Sequence, residues 1–420
     1  MEKYFLFKNY IRSGTVLLAF ILLLGFSKAS GFGVLTHEAI IDAAWDNTIV
    51  PLLKNKFPDA TPEALVKAHA YAYGGAIMPD MGYFPFGNIF FTNLLHYARS
   101  GDFVINLLSE AKNLNEYAFA LGALAHYIAD KDGHPGAVNL SVSMVYPKDQ
   151  KEFGDTISYE EDPVAHRRME FGFDVLQVAR GKYAPKSYHN FIGFELAQPL
   201  LERVFLLTYG IELKNVYFDL PLAINTFRWS VKTFLPQLTN AAWISQKKKI
   251  ENSQPGITRR QFNYGLNRAK YHKEWGKNYN KPGIGAYAVA VVIKLFPKIW
   301  LARILKFKSP TEPAEELFIK SFNHTVSDYS VMLKKCKTNS LHLANINFDT
   351  GKETSPGEYT LVDDTYKKLL LQLPSQPVEQ VNDQLRKNIL DFFKTVQPKV
   401  KNDKEEQKYS DAIAWLKSGK

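Results

Sequence analysis

The chain has 420 residues and is 46% hydrophobic, enough to bury a sizeable core, and its length fits two or three domains. Its formal net charge is +10, and its one cysteine, Cys336, excludes an internal disulfide and a cysteine-based zinc cluster. Any metal must therefore be held by His, Asp and Glu.

At the N-terminus, Lys3, Lys8 and Arg12 precede an apolar stretch at residues 15–26, and the small residues Ala29, Ser30 and Gly31 follow. This is the pattern of a cleaved export signal over residues 1–31, which predicts a periplasmic or secreted protein. The apolar core falls short of the roughly 20 residues that a membrane span needs. No cysteine follows it to carry a lipid anchor. Cleavage after Gly31 leaves Phe32 as the new N-terminus, whereas cleavage after Ala29 leaves Ser30.

Helical periodicity then runs through HEAIIDAAWDNTIVPLL, PEALVKAHAYAYGGAI, GDFVINLLSEAKNLNEYAFALGALAHYIAD and DPVAHRRMEFGFDVLQVARG, with Pro and Gly clusters between them. Alternating strand patterns are scarce, and there is no internal repeat and no glycine-rich phosphate loop. The expectation is an all-α, multi-helix bundle, the architecture that builds metal sites from side chains facing inward on neighbouring helices.

Charge divides the chain. Residues 1–245 carry 21 Lys and Arg against 24 Asp and Glu, whereas residues 246–420 carry 31 against 18. The polar stretch SQKKKIENSQPGITRR at 245–260 reads as a connector, with a catalytic domain over 32–245 and a basic, mainly helical region over 246–420. A basic surplus of this kind attracts nucleic acid or an acidic membrane surface, or simply solvates the protein. Residues 284–308 form a basic amphipathic segment that suits either a membrane interface or a buried helix with a polar stripe. Residues 348–370 have turn chemistry, a short hairpin and then a further helix, with no evident catalytic motif. No feature specifies a protein partner.

Polar residues interrupt the apolar faces in the first half. His37, Asp80 and His96 come first, followed by His126, Asp130 and His134 at successive spacings of four, and then by His166 and Glu170 four apart. Residues four apart project from one helical face. A lone histidine on an apolar helix is ordinarily a hydrogen-bonded core residue, Asp80 after a proline could cap a helix, and Glu170 could sit on the surface beside Arg167 and Arg168. Two histidine–carboxylate pairs would, however, each need a buried partner, and an unpaired buried carboxylate is costly. A shared cation satisfies them all. Imidazole mixed with carboxylate suits zinc, because calcium and magnesium prefer all-oxygen shells. Eight side chains exceed the needs of one tetrahedral ion, so a cluster of two or three is expected, suited to phosphodiester hydrolysis by a metal-activated water. A zinc that only stabilised the fold would be coordinatively closed.

This ordered set resembles the zinc-dependent phospholipase C and S1/P1 nuclease superfamily over residues 32–245, including its glycosylphosphatidylinositol phospholipase D-like branch. The resemblance implies a mostly helical fold with a trinuclear zinc site. One ion would be held by the amino and carbonyl groups of the mature N-terminal residue, here Phe32 where the family usually has Trp, with His37 beside it. By position, the first zinc takes Asp80, His96 and His126. Asp130 bridges towards the third zinc with Phe32 and His37, and the second takes His134, His166 and Glu170. Asp80 is also the implied catalytic general base. The last histidine of the central motif lies four residues after the bridging aspartate, not six as in the bacterial phospholipases and nucleases. This spacing looks like the phospholipase D branch, makes Asp132 the alternative to His134, and tilts the substrate from nucleic acid towards a phospholipid headgroup. His69 has no counterpart in the motif, and the same holds for His189, His272 and His342; His324 pairs only with Asp328.

Overall fold

The computed structural model describes residues 33–179, 193–231, 307–394 and 402–418, together with residues 243, 247, 248, 251 and 256. The expected export signal, Phe32, most of the expected 245–260 connector and nearly all of the basic segment at 284–308 lie outside the described residues. Those described are predominantly helical, with one two-stranded antiparallel ladder. No described helix is long and apolar enough to cross a membrane.

Helix α1 (Val34–Ala44) runs through a π-helical turn at Trp45–Ile49 into α2 (Val50–Lys56). Helix α3 (Pro62–Ile77) starts at the Thr61 cap, whose side chain accepts from Ala64 N, and ends in a tight 3₁₀ turn at Met78–Tyr83 that carries Asp80. Then come α4 (Ile89–Tyr97), α5 (Ser100–Glu110) and α6 (Leu114–Gly133). Helix α6 is the central rod: every residue from Glu116 to Asp130 is buried, as a helix apolar on all sides should be. It crosses α3 at very short range. A Cβ placed on Gly122 would lie 2.0 Å from the Ala72 carbonyl oxygen, and one on Gly75 would lie 1.9 Å from that of Phe119. Only glycine permits this backbone approach.

Helix α6 does not stop at Gly133. Pro135 has no N–H to give the Lys131 carbonyl, so the α pattern breaks, and His134–Val138 form a π turn that leads into α7 (Asn139–Val145). Helices α8 (Pro147–Phe153), α9 (Pro163–Ala179), α10 (Gln198–Tyr209) and α11 (Leu213–Val216) follow, with further helical residues at 220–231.

The second half of the chain shares this core. Helix α12 (Glu312–Lys337) packs against α6, and Tyr329 donates its hydroxyl proton to the Leu121 carbonyl at 2.9 Å. The hairpin β1 (Ile346–Asn347) and β2 (Lys352–Glu353) follows, paired Ile346 to Glu353 and Asn347 to Lys352. Its loop is an Asx turn, with Asp349 N donating to Asn347 Oδ1 at 3.0 Å. Gly351 closes the loop at φ +69°, where a Cβ would sit 2.6 Å from the Lys131 carbonyl, to which Pro135 has no N–H to give. The chain continues in α13 (Thr360–Gln372), α14 (Asp383–Phe392) and α15 (Asp403–Ser418). A single apolar cluster takes in residues from Leu35 to Leu416. The hairpin expected within 348–370 lies at 346–353, and the helix expected after it is α13.

Candidate metal centre

His37 comes from α1, Asp80 from the turn after α3, and His96 from the last turn of α4. His126 and Asp130 lie on α6, His134 at the π turn, and His166 and Glu170 on α9. All eight residues are interior, none more than 4% exposed.

Asp130 stands at the middle. Its Oδ1 lies 3.4 Å from His37 Nε2 and 3.7 Å from His134 Nε2; its Oδ2 lies 3.4 Å from His96 Nε2 and 3.1 Å from His126 Nε2. Asp80 Oδ1 is 3.4 Å from His96 Nε2. Glu170 Oε1 lies 2.7 Å from His166 Nδ1 and 3.9 Å from His134 Nε2. Asp80, His96 and His126 can offer donor atoms to one ion, and so can His37, His126 and Asp130, with each set's donors within 4.8 Å of one another. His126 therefore faces both groups, and its ring stacks on that of His37 at 4.4 Å.

The other nitrogen of four of these rings decides what the inward one can do. His96 Nδ1 donates to Thr92 O at 2.9 Å, and His126 Nδ1 to Ala76 O at 2.8 Å. His134 Nδ1 donates to Asp349 Oδ1 at 3.0 Å, and His166 Nε2 to Asn139 Oδ1 at 2.9 Å. Carbonyl and carboxylate oxygens only accept, so in the neutral ring each bond fixes the tautomer and turns a lone pair towards the cluster, as metal-ligating histidines require. Meanwhile His96 Nε2, His126 Nε2, His166 Nδ1, Asp80 Oδ1, Glu170 Oε1 and both Asp130 oxygens are buried with no well-formed hydrogen bond. Buried polar atoms are ordinarily satisfied. A set of nitrogen and oxygen donors without thiolate, left open in this way, fits zinc.

The electrostatics agree. Burial drives Glu170 well above the ordinary carboxylate range, with the charge of Asp80 adding to it, and burial likewise raises Asp80. Burial also raises Asp130, but His126 and His134 overcome it and hold that carboxyl well below its ordinary value. Burial lowers His96 while Asp130 and Asp80 override it, bringing the imidazole up to about 10; His166 is lowered to about 3 by burial and by His134. Negative charge is crowded into a medium that disfavours it, a condition that a divalent cation reverses.

Most of the groups behind the cluster come from a segment far from it in sequence. Asp349 accepts from His134 and from the hydroxyls of Tyr97 and Tyr359, each at 2.7 Å. Asn139 donates to Asp349 O at 2.8 Å while it accepts from His166. The Phe348 ring lies against His96, His126 and Tyr127 at 5.3, 5.9 and 5.4 Å, and its N–H donates to His96 O. The one visible signal was the turn sequence NFDTG, which says nothing of where the turn docks.

Other histidines stand apart. Asp132 is turned away from the cluster: Lys131 Nζ contacts it and lies 3.7 Å from Asp328 Oδ2, with His324 beside them at the surface. That lysine already supplies the cation there. His69 stacks on Trp45 at 3.8 Å and bonds Asp42 at 3.0 Å, and it is in neither of the donor sets that could share an ion. His342 is exposed, and His189 and His272 lie outside the described residues.

Residues 36–219 match the family model described as zinc dependent phospholipase C. No curated protein and no solved structure matches the chain. The matched stretch takes in all eight side chains of the cluster, and Asp349 lies beyond it. With its helical fold and its interior of histidines and carboxylates, the chain carries over these residues a region similar to the zinc dependent phospholipase C family, a family of hydrolases.

Proposed function

We propose that the protein is an exported phosphodiesterase that hydrolyses phospholipid headgroups by phospholipase C-type chemistry with three zinc ions. The observation that carries the reading is the buried convergence of His37, His96, His126, His134 and His166 on Asp80, Asp130 and Glu170. Asp80, His96 and His126 would hold one ion. His134, His166 and Glu170 would hold a second, and Asp130 and His37 a third, with the backbone of Phe32 after cleavage behind Gly31. Zinc at such a site polarises the phosphate and lowers the pKa of a water to near 7. Asp80 orients the attacking water through Oδ1 and accepts its proton, a modest contribution from a carboxylate that also binds metal. Asp130 keeps four imidazoles aimed at one volume.

Lipid is favoured over nucleic acid by the family and by two exposed aromatic rings. Phe86 and Phe218 are 37% and 102% exposed, and their loops are tied together by the bond from Asn88 Nδ2 to Val216 O, next to the turn that carries Asp80. Aromatic rings in that position suit contact with an acyl surface. The spacing of four from Asp130 to His134 favours the glycosylphosphatidylinositol phospholipase D-like branch.

The test is hydrolysis of phosphatidylcholine vesicles and of single-stranded DNA by the zinc-replete protein, with and without chelator. Chelator-sensitive release of a phosphorylated headgroup is expected. Cleavage of DNA alone would move the assignment to a nuclease, and turnover of neither substrate by a protein that still needs zinc to stay folded would reduce the metal to a structural part.

A further inference from the structure

We propose that Asp349 is a positioning residue of the metal centre: its carboxylate sets the tautomer and aim of His134, so that the hairpin of the second half completes a ligand set drawn from the first. The inference rests on the reading of His134 as a zinc ligand and deepens it.

Asp349 is wholly buried, and every polar atom it has is committed. Oδ1 accepts from His134 Nδ1, Oδ2 accepts from Tyr97 and Tyr359, the backbone N–H is held by Asn347, and the backbone carbonyl accepts from Asn139. The residue cannot shift, because Phe348 is wedged against the His96 and His126 rings and Gly351 is seated on the Lys131 carbonyl. A neutral imidazole has one N–H. With that proton on Nδ1 and aimed at a group that cannot donate, Nε2 presents its lone pair towards Asp130 and Glu170. Asn139, fixed at one end by the Asp349 carbonyl, uses its other end to accept from His166 Nε2 and so turns Nδ1 of that ring towards Glu170. Both histidines of the proposed second zinc site thus hang on this residue. Carboxylates behind ligand histidines typically contribute a factor of about 10 to 100 in metal affinity.

Asp349→Asn isolates this role from packing. Two tyrosine hydroxyls converge where Oδ2 stands, so the amide oxygen stays with them and the NH₂ group faces His134 Nδ1. That nitrogen must then accept, which moves the ring proton to Nε2 and removes the lone pair that zinc needs. The expected result in the full-length protein is a folded chain, by circular dichroism, whose weakest zinc site loses about 10- to 100-fold in affinity by chelator competition. Cobalt substituted at that site should lose its visible absorption in parallel. Adding Tyr97→Phe and Tyr359→Phe to Asp349→Asn frees the amide to turn its oxygen to His134, and zinc affinity should recover to within a few-fold of the unaltered protein.

A folded Asp349→Asn protein that binds zinc as tightly as the unaltered one overturns the proposal, as does a triple variant that recovers nothing. Should the single variant not fold, ¹⁵N spectra of the unaltered zinc-loaded protein decide, with His134→Gln used to assign the resonance. Nδ1 protonated supports the proposal, and Nδ1 metallated overturns it. Failure of the unaltered protein to bind zinc at all would defeat the zinc reading, and this proposal with it.

Discussion

Gly122→Ala sets two effects of opposite sign against each other, and the crossing of α3 and α6 decides which wins. In an exposed helix the change should stabilise by about 1 kcal/mol, because alanine forms helix better than glycine. Here the new methyl would stand 2.0 Å from the Ala72 carbonyl oxygen, where ordinary contact begins at 3.4 Å, a shortfall of about 1.4 Å against a backbone atom that cannot rotate away. Overpacking of this kind costs roughly 1–3 kcal/mol and can cost more. With the clash at the upper end of that range, the net expectation is a loss of about 2 kcal/mol, read as a lower urea midpoint at unchanged slope. One turn further along both helices, His126 Nδ1 donates to Ala76 O at 2.8 Å, and a bond of that length does not survive a separation on that scale. Zinc affinity should therefore fall together with stability. A Gly122→Ala protein as stable as the unaltered one, with zinc binding intact, would refute the claim that this contact sets the ligand geometry.

Asp174 offers a test in pH. Burial raises its carboxyl from the ordinary 3.8 to about 7, against the hydrogen bonds it accepts from Thr36 Oγ1 and Leu35 N. A raised carboxyl favours the folded state while protonated, so its contribution is full below about pH 4 and is lost as the pH rises towards 7; at about 1.4 kcal/mol per pH unit the whole span is worth about 4 kcal/mol. Asp174→Asn should flatten the fall in unfolding free energy between pH 4 and 7 relative to the unaltered protein, and parallel curves would contradict the argument. Phe348→Ala removes a ring that is 2% exposed and should cost roughly 3–5 kcal/mol in chemical denaturation; a loss under about 1 kcal/mol would mean that the hairpin is not wedged against the histidines. Chelation should lower the melting temperature, and restored zinc at about a thousand times its dissociation constant should return about 4 kcal/mol. A melting curve indifferent to both treatments would remove the metal from the account.

The helical class was legible because residues such as those of α6 repeat their apolar character at helical spacing and the chain has little alternation. For the centre, periodicity yielded residue numbers: pairs four apart on greasy helices, costly to bury without a shared partner. The structure brings eight of them into one interior, while their service as zinc ligands remains the proposal made above. What could not be read were contacts between distant segments. Nothing in NFDTG announces that its aspartate docks behind His134, 215 residues earlier. Nor does Gly122 differ by eye from any helix glycine until α3 lies across it. The Pro135 break was visible as a proline, but its outcome as a π turn that places Asn139 behind His166 depends on how both helices pack.

The long reach from Asp349 back to His134 also bears on the order in which a newborn chain matures. All eight side chains of the cluster have been synthesised by residue 170, yet the brace behind two of them is added about 180 residues later. Contacts spanning so much chain form late, after the loop between them has been closed. A partly synthesised or prematurely ended polypeptide would thus hold its ions loosely, and firm retention becomes the mark of a chain translated past its hairpin.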